Sequence, residues 1–347
     1  MKRAILPFLL ILSLLLCGTA AAEDAGGSAV IVSLGDSYSS GEGNEPFYGQ
    51  EAEMAVRCQD PDWLAHRSGN SWPGMLTLPA VDGPMKEHRG THWFFVASSG
   101  AEANHLFLLT DEDIAAGLSA EQEKKYDRDG ISGTAMLPPQ LDIFDELDAR
   151  GLKADYVTLS IGGNDINFKE LVASAMAGTL EYYPGSTVEE KAENLMQTLY
   201  SGRGVRDRIR RVFTDVAARA GSQACILVVG YPRPIAPEGG GQDGFPPASA
   251  QVMNAAASMF NAEIGSIVEE CRAEGMNIWF VSVEEAFEGH GAYSDDPYIN
   301  PIIDGACPQD LKSFQFVSSY SMHPNLKGIE AYARCVQEVI DRLEAEK

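Results

Sequence analysis

Five short apolar runs, rich in β-branched and aromatic residues, are spaced along the chain with helical patterns between them. Such runs predict buried strands, and strands that alternate with helices are typical of a parallel sheet with right-handed crossovers. Because no repeat or linker-like stretch interrupts the pattern, we expect a single domain over residues 23–347. The predicted strands cover residues 29–34, 93–97, 155–159, 225–229 and 277–281.

Small polar residues lie just beyond three of these strands. Ser37 follows the first strand within Gly-Asp-Ser, Gly100 follows the second, and Asn164 follows the third. Open α/β sheets bind ligands at the carboxyl ends of their strands, so we expect these residues to lie close together. A helix predicted for residues 101–109 would place Gly100 at its N-terminus, where main-chain amides lack partners.

A histidine near the C-terminus completes the pattern. His323 stands in Ser-Met-His-Pro, just before a helical pattern. A serine hydroxyl needs a nearby base to act as a nucleophile, and histidine suits that role because its pKa lies near neutrality. A Gly-Asp-Ser tripeptide alone is common in ordinary turns, and the other three segments give it weight.

The four segments, in this order, resemble the SGNH/GDSL family of serine esterases and lipases. The longer form Gly-Asp-Ser-Tyr-Ser-Ser-Gly-Glu-Gly, residues 35–43, is similar to the secreted esterase, lipase and phospholipase A branch. The resemblance implies a three-layer α/β/α, flavodoxin-like SGNH hydrolase fold with a five-stranded parallel sheet and no cofactor. It also implies Ser37 as nucleophile, His323 as base, and an oxyanion hole formed by the N–H groups of Ser37 and Gly100 and the side-chain amide of Asn164.

The third catalytic member departs from the commoner family pattern. That pattern has Asp three residues before the histidine, where this chain has Tyr320. The favoured interpretation is a Ser–His pair whose imidazole is oriented by a main-chain carbonyl, that of Tyr320 or of Ser321. The alternative is a carboxylate from the preceding loop, with Asp304 and Asp310 as candidates.

The resemblance implies a hydrolase of lipid or other acyl esters, including phospholipids. An alternative is a carbohydrate esterase that removes acetyl groups, and a third is a non-catalytic binding protein on the same fold. We expect three irregular segments, residues 45–67, 234–248 and 289–317, to shape the substrate pocket.

The N-terminus has the features of a secretory signal peptide over residues 1–22. Lys2 and Arg3 precede a short apolar stretch and a small-residue cleavage site. Cys17 follows Leu16, whereas lipoprotein processing sites carry a small residue there, so we expect no lipid anchor. We predict a secreted protein that is a monomer.

The charge of the chain excludes two classes of partner. The net charge is −24, and loss of Lys2 and Arg3 with the leader would change it to −26. Such a surface repels nucleic acid and anionic membranes. We expect a small-molecule or lipid ester as the partner.

Five cysteines remain after residue 22, an odd number for an oxidising compartment. We favour a Cys225–Cys271 disulfide, because the two residues bracket one strand–helix unit. A Cys307–Cys335 bridge around His323 is the next candidate, and Cys58 is left without an assigned partner.

His88 and His92 are four residues apart, as metal ligands on a helix can be. Gly90 lies between them, and no cysteine pair or carboxylate-bearing helix accompanies them. We therefore expect no metal site.

Overall fold

The computed structural model describes residues 29–51, 59–128, 131–241, 244–305 and 317–347. The predicted signal peptide, Cys58, Cys307 and Asp310 lie outside these residues. Among the helices within them, none combines the length and the apolar character needed to cross a membrane.

The strands of the described residues form one five-stranded sheet and one hairpin. In the larger sheet the second strand along the chain lies at one edge, the first strand lies next to it, and the last three strands follow in order. Every neighbouring pair is parallel. The predicted five-stranded parallel sheet is therefore confirmed. The strands are β1 (Ile31–Gly35), β2 (Trp93–Phe95), β3 (Gln122–Arg128), β4 (Ile131–Leu137), β5 (Tyr156–Ser160), β6 (Cys225–Val229) and β7 (Ile278–Val281), with the order β2-β1-β5-β6-β7 and an antiparallel β3–β4 hairpin.

The helices connect these strands and cover both faces of the sheet. The α-helices are α1 (Ser37–Ser40), α2 (Pro61–Leu64), α3 (Trp72–Met75), α4 (Asp111–Ala115), α5 (Ile143–Ala149), α6 (Phe168–Met176), α7 (Val188–Leu199), α8 (Val205–Ala220), α9 (Pro247–Ala273) and α10 (Leu326–Ala345). Short 3₁₀ helices span Met85–His88, Ala103–Leu106, Gln140–Asp142, Thr179–Tyr182, Ser201–Arg203 and Glu285–Phe287.

Apolar residues at helical spacing fix which side of each helix meets the sheet. On α8, Ile209, Val212 and Val216 are buried, as a helix packed on a sheet requires. Right-handed crossovers from β5 to β6 and from β6 to β7 place α8 and α9 on one face. The C-terminal helix α10 lies on the other face, where Tyr156 of β5 donates a 2.6 Å hydrogen bond to Glu344. The result is the expected three-layer α/β/α arrangement.

The strand order reverses beside β1. The chain passes from β1 to β2 on one side, and then returns to place β5 on the other side of β1, with Gly35 paired to Ser160. A reversal of this kind opens a crevice at the carboxyl ends of the strands. The loops that follow β1, β2 and β5 meet there.

The helix predicted for residues 101–109 is wrong in extent. Only a 3₁₀ helix, Ala103–Leu106, forms in this segment. Ala103 N–H donates to the carboxylate of Asp165 at 3.0 Å, and Leu108 N–H donates to that of Asp215 at 2.9 Å. These carboxylates bind main-chain donors at both ends of the segment, so a longer helix is not needed to satisfy them.

The predicted Cys225–Cys271 disulfide is also wrong, since both residues are buried free thiols. Paired positions of parallel strands point to the same face, so Cys225 and its neighbour Tyr156 face α10. Cys271 lies on α9, on the opposite side of the sheet. Cys335 is a free thiol as well, and its candidate partner Cys307 lies outside the described residues.

Candidate active site

Ser37 begins a single helical turn directly after β1. Asp36 caps this turn and accepts a 3.0 Å hydrogen bond from Tyr38 N–H. Gly35 has a φ of +119°, and a Cβ atom there would lie 2.4 Å from the Ser160 carbonyl oxygen, so only glycine fits. The Ser37 residue retains 9% of its exposure, which leaves its hydroxyl at the edge of a cavity.

His323 reaches Ser37 across 286 residues of sequence. Its Nε2 lies 2.8 Å from the Ser37 hydroxyl oxygen, the hydrogen-bond distance that a general base requires. Asn300 N–H donates to the His323 carbonyl at 2.8 Å and holds the histidine loop. Burial lowers the pKa of the His323 imidazole below its usual value, against the opposing effect of Glu42, which favours the neutral form that can accept a proton.

A main-chain carbonyl faces the other nitrogen of this imidazole. His323 Nδ1 lies 3.1 Å from the carbonyl oxygen of Ser321, and the Ser319 carbonyl also favours its protonated form. The Tyr320 carbonyl instead accepts from Asn300 Nδ2 at 3.2 Å. Asp304 is exposed and forms a bridge with Val317. Of the two carbonyl candidates and Asp304, the structure therefore places Ser321 at Nδ1.

The predicted oxyanion-hole groups come from three neighbouring loops. Ser98 N–H, in the loop that carries Gly100, donates to the Gly35 carbonyl at 2.9 Å, which joins this loop to the end of β1. Asn164 Nδ2 donates to the Ala101 carbonyl at 2.8 Å and has a second N–H to offer. Among the described hydrogen bonds, the main-chain N–H groups of Ser37 and Gly100 have no acceptor.

Asp165 supports this loop cluster, a role that the sequence did not reveal. Its two oxygens accept hydrogen bonds from Ala103 N–H at 3.0 Å and from Arg208 Nε at 2.9 Å. Asp165 does not cap the helix that follows it, since Asn167 occupies the N-cap position of α6. Asp165 thus fixes the segment after Gly100 to the segment after Asn164.

Gln140 fixes the peptide of Gly35 in the same way. Its side-chain oxygen accepts from Gly35 N–H at 2.7 Å, and its side-chain nitrogen donates to the Gly35 carbonyl at 2.9 Å. A buried amide that satisfies both main-chain groups of one residue holds the end of β1 in place.

Asp36 forms a buried hydrogen-bond network behind Ser37. It accepts from the Tyr231 hydroxyl at 2.5 Å and from the Ser160 hydroxyl at 2.7 Å. Burial raises its pKa to about 6, although these hydrogen bonds act in the other direction. Its contacts are those of a structural residue that joins its own loop to the ends of β5 and β6.

An apolar cavity of about 40 Å³ lies beside Ser37. Asn164 and Tyr231 are among its polar members. Of the three irregular segments expected to shape the pocket, residues 234–248 contribute Pro234 to this cavity among the described residues. Its apolar walls come mostly from helices and include Ile166, Phe168, Leu171, Met196, Met253 and Phe260.

The helical spacing of these wall residues explains why they were missed. Met253 and Phe260 are seven residues apart on α9 and have the pattern of an ordinary core face. No feature of the sequence separates a helix face that lines a cavity from one that packs against the sheet.

Glu42 is a further residue that the sequence did not single out. Its side chain is fully buried and accepts a 2.7 Å hydrogen bond from His66 Nδ1 and a 2.9 Å bond from the Ser319 hydroxyl. Ser319 belongs to the loop that carries His323. A signal was present in the sequence, since Glu42 lies within the extended Gly-Asp-Ser motif.

The two histidines with metal-like spacing each use one ring nitrogen on the main chain. His88 Nε2 contacts the Asp82 carbonyl at 2.5 Å, and His92 Nδ1 contacts the Ala29 carbonyl at 2.9 Å. Over the ranges that the structure covers, no group of three or more His, Cys, Asp or Glu side chains is arranged to hold a metal ion.

Comparison with known proteins identifies the fold. No family model matches the sequence, and no curated protein matches it either. An extracellular lipase from Streptomyces rimosus is similar in structure, with a TM-score of 0.54 and 22% identity over 89% of this chain and 99% of the lipase. Phospholipase A1 from Streptomyces albidoflavus has a TM-score of 0.55 and 18% identity over 89% of this chain and 98% of that enzyme. The chain therefore has the SGNH hydrolase fold, and the resemblance is confirmed at the level of the fold.

A third solved structure, that of a carbohydrate esterase, is less similar to this chain. A family 3 carbohydrate esterase from Clostridium thermocellum has a TM-score of 0.38 and 16% identity over 91% of this chain and 98% of the esterase.

Proposed function

We propose that this chain is a secreted serine ester hydrolase of the SGNH/GDSL family, with Ser37 as nucleophile and His323 as general base. The observation that carries the proposal is the 2.8 Å contact between Ser37 Oγ and His323 Nε2 at the strand-order reversal. Two residues so far apart in sequence meet there in the geometry that acyl transfer requires. The proposal includes a signal peptide over residues 1–22 and a monomeric mature domain over residues 23–347.

The reaction follows from the positions of these groups. His323 Nε2 takes the Ser37 proton as Oγ attacks the ester carbonyl carbon, and the carbonyl oxygen becomes an oxyanion. The N–H groups of Ser37 and Gly100 and the amide of Asn164 donate to that oxyanion. The intermediate collapses, the C–O bond to the alcohol breaks, and the imidazolium returns its proton to the departing alcohol.

Water then completes the cycle. His323 takes a proton from a water molecule, whose oxygen attacks the acyl-enzyme carbonyl, and the oxyanion forms again in the same hole. Collapse of this second intermediate releases the carboxylic acid and returns the proton to Ser37 Oγ. The Ser321 carbonyl at Nδ1 holds the imidazole in the tautomer that both steps need.

The apolar cavity favours an ester with an apolar acyl group. Its walls are aliphatic and aromatic, and they lie directly beside the nucleophile. Its free volume is far below the roughly 300–1,000 Å³ of typical ligand pockets, so a longer acyl chain must displace wall side chains. Met196 and Met253 are suited to this because methionine is flexible. We therefore propose lipid or other acyl esters as substrates, with neutral or dispersed lipids preferred because the protein is strongly acidic.

The test is hydrolysis of p-nitrophenyl esters from acetyl to palmitoyl by the purified mature protein. Activity on acyl chains that is lost in Ser37→Ala, together with fluorophosphonate labelling of Ser37, would support the proposal. Ser222→Ala, at an exposed serine remote from the site, is the control and should retain activity. A preference for acetylated xylan over longer acyl chains would favour the carbohydrate esterase, and a folded protein that neither hydrolyses esters nor reacts with the probe would contradict the proposal.

A further inference from the structure

A buried carboxylate lies in the wall behind the Ser37–His323 pair. Glu42 follows Gly41, whose left-handed conformation ends the helical turn of Ser37, and Glu42 N–H donates to the Ser37 carbonyl at 3.2 Å. The Glu42 side chain is fully buried. Two side chains donate hydrogen bonds to it, those of His66 and Ser319, and the Ser99 side chain also favours its ionised form.

This carboxylate is ionised in the folded protein. Burial alone would raise its pKa, but the charge of His66 and the hydrogen bond from it, with the charge of His323, bring the pKa of Glu42 down to about 2. A buried carboxylate accepts this cost only where several donors and an opposing charge stabilise it. Glu42 therefore carries a negative charge across the pH range in which an ester hydrolase works.

The charge of Glu42 reaches the catalytic imidazole. Glu42 favours the protonated form of His323, and His323 in turn favours the ionised form of Glu42. Ser319, which donates to Glu42, lies in the loop of His323. Two other titratable groups surround the pair. His66, when protonated, opposes protonation of His323, and the Lys124 ammonium donates to the Ser99 carbonyl.

Arg67 is the other cation near this site, and it is paired with a carboxylate other than Glu42. Arg67, which faces Lys124, donates to Asp62 at 2.8 Å and to the Ala97 carbonyl at 2.8 Å. Asp62 forms ion pairs with both Arg67 and Arg89. Glu42 is the carboxylate that acts on His323 among the described residues.

During acyl transfer His323 becomes an imidazolium inside a buried site. In a Ser–His–Asp triad, a carboxylate at Nδ1 stabilises that cation, but here Nδ1 faces only a carbonyl dipole. We propose that Glu42 supplies the missing negative charge, and that it stabilises the His323 imidazolium through space from the nucleophile's own loop. Glu42 is thus a positioning residue of the site, and the inference rests on the function proposed above.

This role has a quantitative consequence for the pH profile. Replacing Glu42 by the neutral isostere in Glu42→Gln removes the charge and preserves the shape. Loss of about tenfold in imidazolium stabilisation would lower the His323 pKa by about one unit and slow the reaction above that pKa by up to about tenfold. Below both pKa values, the slower reaction of the variant is offset by its larger fraction of neutral imidazole. The profiles of wild type and variant should therefore converge at low pH.

The experiment measures kcat/KM for p-nitrophenyl butyrate and the rate of fluorophosphonate labelling of Ser37, each from pH 4 to 9. We expect the acid limb of Glu42→Gln to lie at lower pH than that of wild type, with a matching loss of rate at alkaline pH. Glu42→Asp keeps the charge and should keep the acid limb near the wild-type position. Glu330→Gln, an exposed site on α10, controls for overall charge and should not move the limb.

The outcomes separate the two proposals. A wild type that neither hydrolyses the ester nor reacts with the probe overturns the proposed function. If wild type is reactive and a folded Glu42→Gln has its acid limb at the same pH as wild type, the role of Glu42 is overturned, even if the rate falls. A purely structural role would lower the rate without moving the limb. If Glu42→Gln does not fold, His66→Gln keeps a donor to Glu42 and removes the cation that His66 forms when it is protonated. Its acid limb should move to higher pH, and an unchanged limb contradicts the proposal.

Discussion

The hydroxyl of Tyr38 donates a 2.8 Å hydrogen bond to the main-chain carbonyl of Met322. Tyr38 follows the proposed nucleophile and Met322 precedes the proposed base, so one buried bond joins the two loops whose meeting defines the site. Met322 itself has a φ of +63°, a conformation that costs energy for a residue with a side chain. The Tyr38 bond helps to hold this strained peptide next to His323.

Tyr38→Phe removes that bond and leaves the buried Met322 carbonyl without its partner. We expect the free energy of unfolding to fall by about 1–3 kcal/mol, the cost of an unsatisfied buried acceptor. We also expect kcat to fall by roughly tenfold with little change in KM, because a displaced His323 affects chemistry more than substrate binding. Urea denaturation and steady-state kinetics measure both; unchanged kcat in a destabilised protein would show that the bond does not position His323.

Asp165→Asn tests the support of the oxyanion hole. The substitution places an amide N–H where a carboxylate oxygen now accepts from Ala103 N–H or Arg208, so one of these donors loses its acceptor. We expect kcat to fall by about tenfold while KM changes little, since the loop that carries Gly100 loses its attachment to the Asn164 loop.

Asp215→Asn is the matched control for this prediction. Asp215 accepts from Leu108 N–H at 2.9 Å and contacts Arg211, the same pair of donor types further along the segment. Both donors contact one oxygen of Asp215, which asparagine can keep as its amide oxygen. We therefore expect a smaller loss of stability and unchanged activity. Equal losses of kcat in the two variants would contradict a specific role for Asp165.

The parts predicted from the sequence are those that depend on local patterns. Apolar, β-branched runs such as residues 225–229 favour strands through their local sequence, and a crossover topology then brings Ser37 and Asn164 to one edge. The Ser37–His323 contact was expected from the family resemblance, although 286 positions separate the two residues. The strand exits thus carried the prediction of the site's location, whereas the strand order is known only from the structure.

The parts missed depend on which face a residue occupies in three dimensions. Cys225 and Cys271 flank one strand–helix unit in sequence, but the sheet lies between their side chains. Glu42 is a charged residue in a loop, which usually means solvent exposure, and only the positions of His66 and Ser319 make it a buried carboxylate. Tertiary placement decided each case.

The buried carboxyl of Asp36 predicts a pH dependence of stability. Burial raises its pKa from 3.8 to about 6, so the folded protein binds a proton at Asp36 more tightly than the unfolded chain does. The sign follows: the contribution of Asp36 to stability is greatest below pH 3.8 and is lost as the pH rises through about 6. Its full size is about 3 kcal/mol for a shift of this magnitude.

Asp36→Asn isolates that contribution because asparagine does not titrate. The difference in unfolding free energy between wild type and Asp36→Asn should shift in favour of wild type as the pH falls from 7 to 4. Urea denaturation at several pH values measures it, and Asp296→Asn, at an exposed carboxylate, serves as control. A difference that does not change with pH would contradict a raised Asp36 pKa.

The apolar cavity predicts how acyl-chain preference responds to substitution. Met253 and Ala257 are both wall residues on α9, four positions apart. Met253→Ala enlarges the space beside Ser37, so kcat/KM should rise for octanoyl and longer esters relative to acetyl. Ala257→Phe fills the same space and should restrict hydrolysis to the shortest esters. Each added or removed methylene contributes about 0.8 kcal/mol of apolar burial, so a change of two carbons in preferred length corresponds to roughly tenfold or more in relative kcat/KM.

The measurement is the chain-length profile of each variant against Ile114→Ala, an exposed substitution outside the cavity wall that should leave the profile unchanged. If both cavity variants keep the wild-type profile, the acyl group binds elsewhere, and the cavity beside Ser37 has no part in substrate selection.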